Sequence, residues 1–457
     1  MGGGQPQPGG RDSLPSDGAG VLIETTIVLG TASAMGAGRG RTLLGWSRSG
    51  TGSTGGCPER ELGLNRWCPE PVVRGHGPSM PGGCITGRMT TDGVPGDRED
   101  PASARYGVTI PFDRVPLEDH RRWFELVGRL GYTDVWSAET DGADGFTPLA
   151  LAAAWTPALR LGVAIIPAST RGPAVLAQSV AALAEAAPGR FTFGIGTSSD
   201  VIVHRWNGAE FAEPYKRVRD TIRFLRSALA GEKVDTEYDT FTVRGFRLSR
   251  PVKHPPPIFL AALRPGMLRL AGREADGVIL NWLSAEDVAT VIPEVGAAVP
   301  VAARIFVIPT EDAGLARSVG RRMIAAYLNV GVYAAFHRWL GRGPELEPMW
   351  TAWRAGDRAG ALAAISDEVV DGLVVHGSYG QCRSKVGRFV ANGVTIPVLA
   401  IIPLDVPLEE ALTGLAPPWP PADPAAADPV AADPVAADDT VSADRSVGNE
   451  PARPGER

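Results

Sequence analysis

Two hydrophobic patterns alternate along the chain between about residues 105 and 403. Short runs rich in β-branched and aromatic residues predict strands, and stretches with apolar residues at three-to-four spacing predict helices. Strands are predicted at residues 106–110, 134–137, 161–165, 191–195, 258–262, 277–281, 303–308 and 396–402. The clearest helices are predicted at residues 117–130, 148–155, 173–186 and 214–230. Three of these helices begin with a proline, which suits the first turn.

Eight strand–helix units predict an α/β fold, a (β/α)8 TIM barrel with insertions. An open doubly wound sheet is the alternative, because Gly194-Ile195-Gly196 follows a strand as a dinucleotide-binding loop would. Ser199 stands in place of the third glycine, and the number of units is high for that fold. Two insertions, a polar hairpin at 234–250 and a helical segment at 333–364, are expected to border the active-site mouth.

The ends of the chain differ from the barrel region in composition. The 56 glycines and 40 prolines concentrate there, and residues 1–104 show no sustained helical or strand period. The tail contains a short Ala/Asp/Pro repeat. We therefore predict a disordered extension at 1–104, a barrel at 105–408 and a disordered tail at 409–457. Met89 suggests a further hypothesis, that translation begins shortly before the barrel.

Charge and cysteine usage restrict the partners. The formal net charge is −6 without a long basic run, which argues against nucleic acid and membrane surfaces and favours a small organic substrate. No cysteine pair or metal-ligand spacing occurs, so we expect no metal. The apolar stretch at 21–29 is interrupted by Glu24, and no stretch approaches ~18 apolar residues. A cytoplasmic location is the default expectation.

Candidate site residues follow the carboxyl ends of the strands, where a barrel of this type carries its active site. Gly196, Thr197, Ser198 and Ser199 follow the fourth predicted strand. Amides and hydroxyls in such a turn can bind a phosphate or the polar edge of a cofactor. A tight turn whose hydroxyl caps the next helix is the structural alternative.

Several spaced motifs together resemble one family. Residues 131–139, 161–167 and 188–197 occur in the order found in the bacterial-luciferase-like family, within its coenzyme F420-dependent branch. Further matches lie at 217–221, 257–262 and 271–277, so the resemblance covers essentially all of the barrel region. It implies an oxidoreductase that binds F420 without covalent attachment, transfers a hydride at the deazaflavin C5, and forms a homodimer.

The resemblance also implies roles for individual residues. A non-proline cis peptide between Ala164 and Ile165 would back the cofactor ring. Ala261, Ala262 and Arg264 match a loop that holds the cofactor phosphate, although Leu263 and Arg264 replace glycines. Arg264 could bind an anionic tail.

The remaining implied positions concern catalysis and substrate. Glu139 matches a catalytic carboxylate, but Thr140 replaces the histidine that follows it in related reductases, which places the proton-transfer role in doubt. Trp136, Asn281 and Trp282 are expected to contact the substrate. Two alternatives stay open: an FMN-dependent monooxygenase on the same barrel, and a non-catalytic cofactor-binding barrel. The sequence does not identify the substrate.

Overall fold

The structure is a computed structural model that describes residues 105–419. The predictions for residues 1–104 and for the tail beyond residue 419 lie outside the described residues. The strands in the described part are β1 (Gly107–Thr109), β2 (Asp134–Ser137), β3 (Arg160–Val163), β4 (Ile166–Pro167), β5 (Phe191–Gly196), β6 (Val234–Glu237), β7 (Thr242–Phe246), β8 (Ile258–Ala261), β9 (Gly277–Asn281), β10 (Val301–Ile308), β11 (Val375–His376) and β12 (Ile396–Ile401).

Helices separate the strands almost throughout the described residues. They are α1 (His120–Arg129), α2 (Thr147–Trp155), α3 (Pro173–Ala186), α4 (Pro214–Leu229), α5 (Pro265–Glu274), α6 (Ala285–Val291), α7 (Ala313–Leu328), α8 (Gly331–Trp339), α9 (Gly343–Arg354), α10 (Arg358–Ala363), α11 (Asp367–Leu373), α12 (Tyr379–Ala391) and α13 (Leu408–Gly414). Short 3-10 helices lie at Leu117–Asp119 and Ile292–Val295, and a π-helix lies at Val201–Trp206.

The parallel strands close into a barrel. Their order is β1, β2, β3, β5, β8, β9, β10 and β12, and β1 pairs with both β2 and β12. β3 pairs with the start of β5 and β4 pairs with its end, so the two together form the third barrel strand. β11 pairs with the last two residues of β10. The predicted (β/α)8 barrel is therefore confirmed, and the open doubly wound sheet is excluded because the sheet closes.

Large side chains fill the barrel interior. Trp136 is 1% exposed and packs with Phe259 and four aliphatic residues from β9, β10 and β12. A Cβ on Gly162 would lie 2.3 Å from the indole of Trp136. Glycine at that position of β3 therefore makes room for the indole.

The predicted hairpin is formed by β6 and β7 and packs on α4. The buried Asp220 carboxylate accepts hydrogen bonds from the backbone N–H and hydroxyl of Thr240, both at 3.0 Å. Arg217 donates to the carbonyl oxygens of Thr240 and Ala168 at 3.4 Å. These bonds bring the hairpin tip near the carboxyl end of β4.

The barrel region extends beyond residue 408, where the sequence placed its end. Helix α13 follows, and Leu412, Leu415 and Trp419 are buried. The Tyr132 hydroxyl donates to the Leu412 carbonyl at 3.0 Å, and the Trp419 ring lies 5.0 Å from that of Tyr106. The predicted boundary is therefore too early, because these apolar residues cover the base of the first two strand–helix units.

Candidate functional site

A cavity lies at the carboxyl ends of the barrel strands. Its enclosed space is about 10 Å³, which is room for about one water molecule, and beyond this space the cavity opens towards solvent. Its lining residues are Thr109, Trp136, Ser137, Ala138, Ala164, Ile279, Ala302, Arg304 and Val398. This is the part of a (β/α)8 barrel where active sites are built. Of the predicted site residues, Trp136 and Ala164 line it directly, and Trp136 does so as a buried side chain.

A bulge interrupts the third barrel strand between β3 and β4. The peptide bond between Ala164 and Ile165 is cis, as predicted. The Ala164 N–H donates to the Ser137 carbonyl at 2.7 Å, which ties the bulge to the end of β2. On the other side, β4 pairs with the end of β5.

Close packing joins the bulge to β5 and β8. A Cβ on Gly194 would lie 1.9 Å from the Val163 carbonyl oxygen, so only glycine fits there. A Cβ on Gly196 would lie 3.1 Å from the Ala261 Cβ and 3.3 Å from the Ile165 side chain. The predicted cofactor residues Ile165, Gly196 and Ala261 are therefore neighbours, and together they form a surface of small and apolar groups.

The hydroxyl-rich loop after β5 leads into the π-helix. Ser198 has a φ of 61°, in the left-handed region. The Ser199 hydroxyl accepts a hydrogen bond from the Ile202 N–H at 3.3 Å, and the Thr197 hydroxyl donates to the Ser198 carbonyl at 3.3 Å. Ser199 thus stabilises the first turn of the helix, as in the structural alternative, while the Thr197 and Ser198 side chains are partly accessible.

The loop after β8 presents Arg264 at the start of α5. Ala262 is buried, whereas Arg264 is exposed and forms no ion pair within residues 105–419. Pro265 occupies the first turn of α5, and the Arg264 carbonyl accepts from the Met267 N–H at 3.0 Å. The guanidinium group is therefore available to an anion next to a helix N-terminus.

Glu139 forms a two-pronged ion pair with Arg171. The two guanidinium nitrogens lie 2.5 and 2.7 Å from the carboxylate oxygens, and the Gly145 N–H donates to the same carboxylate at 3.1 Å. The side chains of Glu139 and Arg171 are 15% and 22% exposed. We call this group the Glu139–Arg171 clasp. It links the loop after β2 to the loop before α3, and the sequence analysis did not predict the pairing.

Asp144 fastens the start of α2 beside the clasp. Its carboxylate accepts hydrogen bonds from the N–H groups of Phe146 at 2.8 Å and Thr147 at 3.0 Å. Burial by itself raises the pKa of Asp144, but hydrogen bonds from Thr147 and Phe146 outweigh burial, and the pKa lies below its usual value. The loop is thus held at both ends by carboxylates.

A polar and aromatic wall stands on the side of β9 and β10. Asn281 and Arg304 are neighbours in register, and the Asn281 side-chain amide donates to the Tyr333 hydroxyl of α8 at 3.0 Å. The Arg304 guanidinium lies 4.8 Å from the Phe306 ring centre. Trp282 is 1% exposed and stacks on Phe306 at 4.2 Å, so its ring is covered by this wall.

Tyr333 and Arg304 are site residues that the sequence reasoning missed. Burial and the neighbouring Tyr327 raise the pKa of Tyr333 to about 12, although Asn281 and Arg304 act in the opposite direction. Ala302, Arg304 and Phe306 alternate along β10, and this period of two is the signal that could have placed Arg304 on the same face as Ala302. Tyr333 begins the predicted insertion, which therefore does border the mouth.

The comparisons with known proteins agree with this architecture. Residues 95–395 match the model of the family described as luciferase-like monooxygenase. A protein of Mycobacterium tuberculosis, provisionally named a coenzyme F420-dependent oxidoreductase, is 26% identical over 65% of this chain and 95% of its own. The 5,10-methylenetetrahydromethanopterin reductase of Methanolobus tindarius is 25% identical over 67% of this chain and 97% of its own. The chain therefore belongs to the luciferase-like monooxygenase family, and it is an oxidoreductase.

Solved structures show the same fold. The coenzyme F420-dependent tetrahydromethanopterin reductase of Methanopyrus kandleri superposes with a TM-score of 0.58 at 20% identity, covering 69% of this chain and 98% of that one. Within residues 105–419 no cluster of three or more His, Cys, Asp or Glu side chains could hold a metal ion. No helix in that same part of the chain has the length and apolar character needed to cross a membrane.

Proposed function

We propose that this protein is a coenzyme F420-dependent oxidoreductase that transfers a hydride between the deazaflavin and an organic substrate. The observation that carries the proposal is the surface of small and apolar groups formed by Ala164, Ile165, Gly196 and Ala261. The relatives named for F420 chemistry support the choice of cofactor. When bound, F420 would supply the hydride donor or acceptor at its C5 atom.

The residues at the strand ends fit such a cofactor. Gly196 is buried against Ile165 and Ala261, and the absence of a side chain there lets these two pack closely. The partly exposed Ala164, Ile165 and Ala261 then offer small apolar groups to a flat heterocycle. The Thr197 and Ser198 hydroxyls stand beside this surface and can bind a polar ring edge. Arg264, exposed and unpaired within the described chain, would bind the anionic tail of F420.

Glu139 could act in the proposed reaction either as a catalytic carboxylate or as a residue that positions the loop after β2. A carboxylate beside the cofactor could hold or move a proton, which is the catalytic role expected from the resemblance. The Glu139–Arg171 clasp favours positioning instead, because both carboxylate oxygens are already bonded. In either case the side chain orders the loop that follows β2.

Binding of F420 and FMN to the purified protein, measured by fluorescence quenching, tests the cofactor. We expect F420 to bind and Arg264→Gln to weaken it by about tenfold, because a charge-assisted contact is lost. Arg269→Gln, on the same helix but paired with Glu294, is the matched control and should leave the affinity unchanged.

The same experiment addresses the rival functions. The family description names a monooxygenase, and the second candidate is therefore a monooxygenase that uses FMN in place of F420. Clear FMN binding without F420 binding would establish that candidate instead. Binding of neither cofactor would favour a barrel that has lost this chemistry. The homodimer and the cytoplasmic location stay predictions, and sedimentation of the purified protein would test the first.

A further inference from the structure

The cavity contains a guanidinium group without an acidic partner. Arg304 lies on β10, lines the cavity and is half-buried, and its Nε atom is buried without a hydrogen-bond acceptor. No carboxylate within residues 105–419 forms an ion pair with it, in contrast to Arg171 on the other side of the mouth. The guanidinium lies 4.8 Å from the Phe306 ring centre, but a half-buried cation without an acidic partner keeps hydrogen-bonding capacity for an anion from outside the chain.

Two further polar groups around Arg304 also lack partners. The Tyr333 hydroxyl can donate to the Asn281 side-chain oxygen or accept from its nitrogen, depending on how the amide is oriented. In either orientation, the other amide atom has no partner. The Thr109 hydroxyl lines the same cavity and is buried without a partner. The cavity lining therefore includes a cation and an unpartnered hydroxyl, and the Asn281 amide, next to Arg304 in register on β9, has unused capacity beside it.

The rest of the cavity lining is largely apolar. Ile279, Ala302 and Val398 surround Arg304 along its own and neighbouring strands, and Ala164 closes the cavity from the bulge. A ligand that matches this site places one small anionic group at Arg304 and keeps its apolar body in the open part of the mouth. A planar carboxylate suits a guanidinium best, because the two can form parallel hydrogen bonds.

We propose that Arg304, assisted by Asn281 and Thr109, binds a carboxylate group of the substrate. The assignment to substrate depends on the proposed function, which places the cofactor at β4, β5 and β8, with Ala164 on the border between the cofactor surface and the Arg304 cavity. Arg304 belongs to β10, and its neighbour Asn281 is tied to α8 rather than to the cofactor surface. Arg304 would select for the charge of the substrate, and the apolar lining would select for its size.

Ligand binding to the full-length protein tests the proposal without requiring turnover. Acetate, benzoate and succinate are each compared with the uncharged amide of the same acid, with the melting temperature and titration calorimetry as readouts. We expect at least one carboxylate to raise the melting temperature by about 2 °C or more at saturation, and its amide to have no effect. Inorganic phosphate is included as an anion of different shape.

Variants assign the effect to Arg304. Arg304→Gln should lower the affinity for the carboxylate by at least about tenfold, and Arg304→Lys should restore part of it because the charge returns without the planar fork. Arg322→Gln, an exposed arginine on α7, is the control and should bind as the parent does. The F420 affinity of Arg304→Gln should stay within about twofold of the parent.

The outcomes separate this proposal from the proposed function. Equal effects of acid and amide, binding of phosphate alone, or carboxylate binding unchanged in Arg304→Gln would each overturn the carboxylate site. A tenfold loss of F420 affinity in Arg304→Gln would overturn the assignment to substrate and place Arg304 with the cofactor. Failure of the parent protein to bind F420 contradicts the proposed function, while the comparison of acid with amide still reports on Arg304.

Discussion

The Glu139–Arg171 clasp gives the sharpest test of how the mouth is organised. Glu139→Gln removes one charge and preserves the shape of the side chain, and Arg171→Gln removes the guanidinium group together with its charge. The ion pair is two-pronged and mostly shielded, with 15% and 22% of the side chains exposed. An exposed pair contributes up to about 1 kcal/mol, and the geometry here raises the expected interaction to ~1–2 kcal/mol.

A double-mutant cycle measures this interaction directly. Urea unfolding of the parent, both single variants and the double variant should give a coupling free energy of ~1 kcal/mol or more. Amide hydrogen exchange supplies a local readout, because the Gly145 N–H donates to Glu139 and should lose protection in Glu139→Gln. Both single variants should weaken F420 binding by similar factors if the clasp orders the loop.

The cycle also decides between positioning and proton transfer. If Glu139 handles a proton, Glu139→Gln slows hydride transfer, while Arg171→Gln affects it little. If Glu139 acts through the clasp, the two variants change binding and turnover alike, and the double variant is no worse than either. A coupling below about 0.3 kcal/mol, with Gly145 protection intact, would refute the reasoning from the structure.

Three further predictions concern the frame around the site. Gly162→Ala should destabilise the protein by ~1–3 kcal/mol in urea unfolding, because the new Cβ would lie 2.3 Å from the Trp136 indole. Gly162→Ala should cost less in a Trp136→Phe protein, and an equal cost with Trp or Phe at position 136 would contradict the contact. A chain ending at residue 408 should melt at least about 5 °C below one ending at residue 420, because it lacks the buried Leu412, Leu415 and Trp419; coincident melts would show that α13 contributes nothing. Burial, followed by the nearby Arg342, lowers the pKa of His337 to about 4, whereas the unfolded chain titrates near 6.5. Between these pH values the unfolded state binds a proton on His337 that the folded state does not bind, so the free energy of unfolding should fall by up to ~1.4 kcal/mol per pH unit as the pH drops from about 6.5 towards 4. His337→Leu should make unfolding less dependent on pH in this range, and an unchanged dependence would show that other groups cause it.

Local patterns in the sequence were sufficient for the barrel. Each of the eight barrel strands agrees with its predicted range within two residues at either end, and α3 spans Pro173–Ala186 as predicted. Strand periodicity and proline at helix starts are properties of neighbouring residues, so a single sequence carries them. The resemblance to a family located the cis bond at Ala164 and Ile165, which periodicity alone does not indicate.

The contacts of the site depend on tertiary structure and were not predicted. Arg171 is 32 residues from Glu139, and Tyr333 is 52 residues from Asn281, so no local pattern links either pair. In the sequence Arg304 is one polar residue within a strand, and only the tertiary structure shows that it has no acidic partner among the described residues. Helix α13 was overlooked because it is short and is followed by proline-rich sequence. Its Leu412 carbonyl and the Trp419 ring beyond it contact Tyr132 and Tyr106, which lie far away in the sequence.

The two sides of the mouth are anchored in parts of the chain that can change independently. Tyr333 comes from α8, in a helical stretch between α7 and α11 that closure of the eight-stranded sheet does not require. The surface around Gly196 depends instead on the tight contacts among β3, β4, β5 and β8. Loss or exchange of the helical stretch would release Asn281 and reshape the surroundings of Arg304, yet leave those strand contacts in place. A change in this one stretch of the chain would therefore alter the ligand preference at Arg304 and leave the strand contacts around Gly196 as they are.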